Sequence, residues 1–213
     1  FGLRGDYQPY LSLALGAAEA TLVEMTSAYS AFANQGVRLE PYSVVTIADR
    51  EGNLLDEHRP EPHEAIRADT AFVMTNLLRG VVQRGTAQAA ATLDWPLAGK
   101  TGTMDEYTDA WFIGFDPDIT VGVWVGYDEK KPLGSGETGA AAALPIWMDF
   151  MKVYIQRHGD HQNPPRFEAP GDIVFVTLDS GNTEAFINGT QPQNAAQTTP
   201  PPSSAAAAPT LEE

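Results

Sequence analysis

The chain has no cysteine, few basic residues and no long apolar run, and each of these absences excludes a class of structure or partner. Without cysteine, neither disulfides nor thiolate metal sites can form. The 13 lysine and arginine residues are outnumbered by 28 acidic ones, which gives a formal net charge of −15. Such an acidic chain repels phosphate backbones, so no nucleic-acid partner is expected. No run of 18 apolar residues exists, so no segment is expected to span a membrane.

What is present is enough for a folded core. The chain has 213 residues, of which 43% are hydrophobic. It begins at Phe1 with no basic and apolar leader, so we expect a piece of a longer protein with any signal or anchor upstream. Composition predicts a structured region over 1–157 and an extension with a short strand over 158–189. Residues 190–213 are rich in Pro, Ala and Gln, and we expect a disordered tail there.

Apolar residues at helical spacing predict three helices. Thr21 and Glu24 form a capping box that begins the first, over residues 22–34, with an aromatic face turned to the core. Asp69 is expected to cap the second, which runs to about Val82. A further short helix is expected to begin at Gly85-Thr86-Ala87, with Thr86 as its cap. The third is predicted over 140–157, with a proline near its start, where proline is tolerated.

Alternating and β-branched runs predict several strands. Short connections predict antiparallel pairing of three successive strands: residues 97–103, 110–115 and 119–127. Elsewhere the sequence predicts a hairpin over 42–55, an exposed loop over 58–64 and a lone strand over 172–178. Together these elements predict an α+β fold in which helices flank an antiparallel sheet.

The most informative motif is Lys100-Thr101-Gly102-Thr103, which ends the first of the three strands. Thr103 can offer its backbone N–H to an oxyanion if that strand edge is unpaired. Gly102 keeps the edge clear, so that a substrate can lie along it as an added strand. Thr101 and Thr103 can offer hydroxyl donors to a carboxylate, and Lys100 adds positive charge and can help to move a proton. By itself the triplet also fits a surface strand end with a solvated lysine.

Penicillin-binding proteins and related β-lactamases combine K-T-G with S-x-x-K and S-D-N. Here no S-x-x-K exists, because none of the residues three positions before the four lysines is a serine: Leu97, Tyr127, Asp128 and Asp149. Ser180-Gly181-Asn182 has the S-x-N pattern but follows the K-T-G, and its composition is typical of a turn. The nucleophilic serine is therefore absent from this chain.

Two groups of side chains have residue types that bind metals. His58 and His63 lie on a segment broken by prolines, where no rigid element fixes both rings. Asp105 and Glu106 are predicted to lie in an acidic loop after the motif, where exposed acids are common, and Asp109 follows as a third conceivable ligand. We therefore expect no metal and no cofactor.

Longer stretches of the sequence carry a resemblance to a known family. They are residues 11–21, 33–36, 98–103, 108–115, 122–128 and 141–150. Over about residues 7–157 the chain resembles the transpeptidase domain of class A, bifunctional penicillin-binding proteins, and within them the 1A-like group. The resemblance implies a penicillin-binding transpeptidase/serine β-lactamase-like fold, incomplete in this chain.

The resemblance also implies a function. The family makes peptidoglycan at the periplasmic face of the cytoplasmic membrane: one domain polymerises glycan, and another cross-links stem peptides that end in D-Ala-D-Ala and is acylated by β-lactams. By this resemblance Lys100 assists the proton relay and charge balance. Thr101, Gly102 and Thr103 bind substrate, and the N–H of Thr103 contributes to the oxyanion hole.

Because two of the three family motifs are absent, the isolated chain is predicted to be inactive. It is also predicted to fold poorly, because its sheet loses packing area. The expected partner is the upstream part of the same protein. Two alternatives stay open. One is a D,D-carboxypeptidase or β-lactamase-like hydrolase, which uses the same fold with water as acceptor. The other is a degenerate, non-catalytic binding domain, which the missing serine favours for the chain taken alone.

Overall fold

A computed structural model describes residues 1–16, 18–192 and 197–198. Within these residues, three α-helices and four small antiparallel sheets form the fold. Within the described residues, no helix combines the length and apolar character needed to cross a bilayer.

The first helix, α1, covers Leu22–Ala33 and begins at the predicted capping box. The Glu24 N–H donates to the Thr21 hydroxyl at 3.2 Å, and the Thr21 N–H donates to the Glu24 carboxylate at 3.0 Å. Each side chain satisfies a backbone donor that the helix itself leaves unpaired. The small residues Ala28 and Ala31 are buried, whereas the aromatic residues on this helix are half-buried.

The second helix, α2, covers Ala68–Arg84, and Asp69 is not its N-cap. The N-cap is Arg67, and Asp69 lies inside the first turn with only 3% of its surface exposed. Its carboxylate accepts from the guanidinium of Arg67 and from the N–H and hydroxyl of Thr70. An acid in the first turn is favoured by the helix dipole. Asp69 therefore does mark the start of α2, but it lies two residues after the N-cap.

The third helix was predicted over 140–157 and consists of two parts. A π-helical turn over Gly139–Ala143 leads into α3, Leu144–His158. Pro145 has no N–H to donate to the carbonyl four residues before it, so an α-helical pattern cannot continue across this point. The proline is accommodated in the first turn of α3, where that donor is not needed.

The central sheet contains β5 (Ala98–Thr103), β6 (Asp109–Phe115) and β7 (Thr120–Gly126), in that order and antiparallel. This confirms the three predicted strands. On one face the buried Phe112 contacts Trp147 of α3, with ring centroids 5.0 Å apart. On the other face the buried Phe115 packs with Leu78 of α2 and with the half-buried aromatic residues of α1. The sheet is therefore the middle layer between α3 and the α1–α2 pair.

Two short pairings lie between α1 and α2. The predicted hairpin is present as β2 (Thr46–Ala48) and β3 (Leu54–Glu57). The expected loop over 58–64 is wrong in part, because β4 (Pro62–Glu64) pairs with β1 (Val37–Leu39). Proline begins this edge strand, a position that requires no ladder donor.

The strand predicted alone over 172–178 is one half of a hairpin. It is β8 (Ile173–Thr177), and it pairs with β9 (Thr183–Ile187), which the sequence analysis missed. Within the region predicted as a tail, β10 (Gln197–Thr198) pairs with β8. Residues 193–196 and 199–213 of that tail lie outside the described residues.

The capping box of α1 predicts a pH dependence. Hydrogen bonds from Thr21 lower the pKa of Glu24 below its ordinary value of 4.5. A lowered pKa in the folded state means that this carboxylate stabilises the helix start above pH 4.5, and that the stabilisation is lost as pH falls through the lowered pKa. Replacing Glu24 by Gln should therefore reduce amide protection in the first turn of α1 at pH 7.

Hydrogen exchange of the Glu24 and Met25 amides measures this effect, expressed as protection factors. The difference between the two proteins should shrink as pH falls through the lowered pKa of Glu24. The exposed loop residue Glu61, changed to Gln, is the control and should leave α1 unaltered. Equal protection in the Glu24→Gln variant at pH 7 would contradict the role of the capping box.

Candidate active site

The motif strand β5 has one open edge. Its only neighbour among the described strands is β6. The Met104 N–H donates to the Asp109 carbonyl at 3.0 Å, which makes these two residues a hydrogen-bonded pair of the ladder. Since such pairs alternate along an antiparallel ladder, Gly102 also faces β6, and the N–H groups of Thr101 and Thr103 point to the open edge. Two backbone donors and the motif side chains are therefore accessible along one edge.

The two threonines of the motif share a face of the sheet. Thr101 pairs with Phe112 and Thr103 pairs with Ala110, and both partners are buried in the core beneath α3. Side chains directly opposite in a ladder lie on the same face. Both hydroxyls therefore lie on the α3 side of β5, where neighbouring elements reach them.

Thr103 is held by the turn that precedes α3. The Gly139 N–H donates to the Thr103 hydroxyl oxygen at 3.0 Å. Because the oxygen acts here as the acceptor, the hydroxyl proton stays available to donate to another group. The side chain is thus fixed and still has a donor for a ligand.

Thr101 has a hydroxyl partner of its own. Its hydroxyl lies 2.8 Å from that of Thr86, which follows α2. Lys100 is exposed, and its ammonium group donates to the Thr101 carbonyl at 2.7 Å. A charged amine therefore lies at the backbone carbonyl of Thr101.

Two glycines let the backbone segments meet at this point. A methyl group added to Gly139 would overlap the carbonyl oxygen of Trp111 and lie 2.5 Å from that of Gly102. A methyl group added to Gly102 would lie 3.1 Å from the Trp111 side chain. Residue 139 must therefore be glycine for the α3 turn to approach the β5–β6 ladder.

The acidic loop after the motif is bounded by hydrogen bonds of its own. Asp109 accepts from the Thr108 hydroxyl and from the Trp124 indole N–H, both at 2.9 Å. Glu106 and Tyr107 adopt left-handed backbone conformations with φ of 60° and 55°. Across the described ranges, no three His, Asp or Glu side chains come together as a metal site would require.

The remaining candidates lie away from β5. Ser180, Gly181 and Asn182 form the turn of the β8–β9 hairpin, in a different sheet. Gly181 has a φ of 82°, and Asn182 donates to the Ser180 hydroxyl at 3.2 Å, so the turn itself accounts for all three residues. His58 stacks against Tyr42, with ring centroids 3.9 Å apart.

Sequence reasoning missed Thr86 and Gly139, which contact the motif threonines from 15 and 36 residues away. Thr86 stands in Gly85-Thr86-Ala87, where the sequence predicts the start of a short helix capped by Thr86. The short helix is present over Gln88–Leu93, but its N-cap is Ala87, and the Thr86 side chain does not cap it. Gly139 ends a predicted loop, residues 129–139, that contains two other glycines. Neither carries a local signal of its contact.

These features accompany a match to a known family. The model of the penicillin-binding protein transpeptidase domain matches residues 7–152, which contain the motif strand and both segments that hold its threonines. The chain belongs to the penicillin-binding protein transpeptidase family. The resemblance and the fold class inferred from the sequence are both confirmed.

Individual relatives agree with this assignment. Penicillin-binding protein 1A of Aquifex aeolicus is 41% identical over 198 residues, covering 88% of this chain and 27% of that protein. The crystal structure of penicillin-binding protein 1A from Haemophilus influenzae matches with a TM-score of 0.82 and 27% identity. The match covers 92% of this chain and 36% of the Haemophilus influenzae chain. The chain thus spans about a quarter of the length of the curated 1A relatives that it matches.

A more distant structure shares the fold alone. PonA1 from Mycobacterium tuberculosis, determined in complex with penicillin V, has a TM-score of 0.61 and 21% identity. The match covers 76% of this chain and 45% of the PonA1 chain.

The close approach at Gly139 predicts a specific sensitivity. Replacing Gly139 by Ala should destabilise the protein by about 1–3 kcal/mol, because the added methyl overlaps two backbone carbonyls that have little freedom to move. Thermal unfolding measures the loss. Gly171→Ala is the matched control, since a methyl group there meets nothing within 4 Å and should change stability by no more than about 0.5 kcal/mol. Equal stability of the two variants would show that the turn is free to move.

Proposed function

We propose that this chain is the distal part of a serine D,D-transpeptidase domain that cross-links peptidoglycan within a bifunctional glycosyltransferase and transpeptidase. The observation that carries the proposal is the Lys-Thr-Gly-Thr sequence on the open edge of β5, with its hydroxyls fixed and its outward N–H groups accessible. The nucleophilic serine and its lysine partner, in S-x-x-K, would come from the region of the same protein before Phe1.

The reaction transfers an acyl group twice. The serine oxygen bonds to the carbonyl carbon of the penultimate D-Ala of a donor stem peptide. The C–N bond to the terminal D-Ala breaks, and the serine proton passes to the leaving amine. An amine of an acceptor stem peptide then attacks the ester carbonyl and loses a proton, and the serine oxygen is released with its proton restored.

Each motif residue has a role in this scheme. The donor peptide lies along the open edge of β5, and the outward N–H of Thr103 donates to the carbonyl oxygen as it gains negative charge. The hydroxyls of Thr101 and Thr103 donate to the terminal carboxylate. Lys100 lies on the same strand, where its positive charge balances the anion and assists the proton relay.

β-Lactams fit the same description as inhibitors. They present a reactive amide carbonyl and a carboxylate, as the end of the stem peptide does. The match to the penicillin-binding protein transpeptidase domain supports β-lactam binding, and PonA1, which shares the fold, was determined in complex with penicillin V. We place the protein at the periplasmic face of the cytoplasmic membrane, where its peptidoglycan substrate lies, anchored through a segment outside this chain.

The non-catalytic alternative is favoured by one observation, the absence of S-x-x-K. A protein that consisted of this chain alone would have no nucleophile, so it would hold a peptide at the β5 edge and release it unchanged. The hydrolytic alternative uses the same serine ester with water as acceptor, so products separate it from cross-linking.

Intact-mass spectrometry after incubation with penicillin V tests the proposal. Only a protein extended upstream in its own gene should gain one penicillin mass. The 213-residue chain should gain none, because it lacks the nucleophile. Acylation of the short chain would place the nucleophile within it, and acylation of neither would favour the non-catalytic domain. Products from stem peptides then distinguish cross-linked dimers from hydrolysed monomers.

The role of Lys100 gives a second test on the extended protein. Lys100→Ala should slow acylation by penicillin V by about 100-fold or more, the contribution typical of a group that assists proton transfer. Lys152→Ala, an exposed lysine on α3, is the control and should acylate at the unaltered rate. A Lys100→Ala rate equal to that of the control would remove Lys100 from the mechanism.

A further inference from the structure

Thr86 lies outside the motif but contacts it directly. Its hydroxyl is 2.8 Å from the Thr101 hydroxyl, a distance typical of a strong O–H···O hydrogen bond. Both hydroxyls lie near the open edge of β5, and Thr86 is exposed. The contact joins the end of α2 to the motif strand, two elements that have no backbone ladder in common.

The backbone around Thr86 is fixed on both sides. The N–H groups of Gly85 and Ala87 both donate to the Val81 carbonyl at 3.1 Å, which closes the end of α2. Ala87 is fully buried. An exposed side chain is thus mounted on a backbone with little freedom to move.

The end of α2 is anchored further by the C-terminal hairpin. Arg84 forms an ion pair with Glu184 of β9, whose side chain is only 14% exposed. The other carboxylate oxygen of Glu184 accepts from the Asn76 side chain at 2.7 Å. Shielding from water strengthens such charge-assisted hydrogen bonds. The hairpin, which lies beyond the residues matched by the family model, therefore holds the segment that presents Thr86.

The chemistry of paired hydroxyls gives this contact a consequence. A hydroxyl has one proton to donate and can accept two. When Thr86 donates to Thr101, the Thr101 proton is left to donate to an anion at the open edge. An incoming carboxylate favours this arrangement, since each donor in the chain polarises the next. Without the Thr86 hydroxyl, Thr101 loses both the partner that orients it and the polarisation.

We propose that Thr86 is a positioning residue that orients the Thr101 hydroxyl toward the carboxylate of the stem peptide or β-lactam. The inference rests on the proposed function, because it assumes that a carboxylate binds at Thr101. Thr86 itself does not touch the reacting atoms. Its contribution should therefore depend on the substrate carboxylate and on the Thr101 hydroxyl.

The test is acylation of the full-length protein by penicillin V and by its uncharged methyl ester. In both, the serine oxygen bonds to the lactam carbonyl carbon, the ring C–N bond breaks and the proton passes to the ring nitrogen. Thr86→Val should lower the second-order acylation rate constant for penicillin V about tenfold, the order expected for one hydrogen bond to a charged group. With the ester, the variant and the unaltered protein should agree within about twofold.

Two further variants separate positioning from a structural role. Thr86→Ser keeps the hydroxyl and should restore the rate with penicillin V. In a Thr101→Val background, Thr86→Val should have no further effect, because the hydroxyl it orients is gone. Thr92→Val is the matched control, since the Thr92 hydroxyl donates to the Ala89 carbonyl within its own short helix.

Each outcome decides the matter. An unchanged Thr86→Val rate, an equal loss with both β-lactams, or an additive loss in the Thr101→Val background would overturn the inference while leaving the proposed function intact. Absence of acylation in the unaltered full-length protein would overturn the proposed function, and this inference with it.

Discussion

The approach of the Gly139 backbone to the β5–β6 ladder is the constraint on which the site depends. Trp111 and Gly102 present backbone carbonyls where any side chain at residue 139 would have to lie. Since residue 139 has none, the turn before α3 can lie against the sheet and donate its N–H to Thr103. The same turn leads into α3, whose Trp147 covers the buried Phe112. Packing of the core and orientation of a motif side chain thus follow from one contact.

The site combines a rigid interior with an open edge. Phe112 and Phe115, next to the motif in the ladder, are completely buried on opposite faces of the sheet. Burial on both faces leaves the sheet little freedom to bend, so the outward N–H groups of β5 keep their spacing without a ligand. Preorganised donors avoid reorganisation when negative charge develops, which is the basis of oxyanion stabilisation. An exposed strand edge is ordinarily a liability, but under the proposed function it is what an extended substrate requires.

Sequence reasoning succeeded where structure is set locally. The capping box of α1 and the apolar alternation of β7 depend on neighbouring residues, and both elements lie where they were predicted. It failed for β4 because the partner strand β1 is distant in the chain. It failed for β9 because turn residues precede that strand and mask its start. The motif residues could be singled out because their chemistry is unusual in combination, and their roles in a site stay a prediction. Thr86 and Gly139 could not, because common residues acquire their roles only through contacts made in the folded chain.

Covalent chemistry and substrate recognition need different groups, which explains how a chain without S-x-x-K can still contain an organised site. Covalent chemistry needs a serine and a proton acceptor, whereas recognition of an acyl donor needs hydroxyls, N–H groups and a cation at fixed spacing. In this chain the second set rests on contacts internal to the described residues: Gly139 holds Thr103, and Thr86 contacts Thr101. These contacts fix the two motif hydroxyls with groups of this chain alone. Under the proposed function, the nucleophile acts at the open edge of β5, and that edge is formed by the strand order of the sheet.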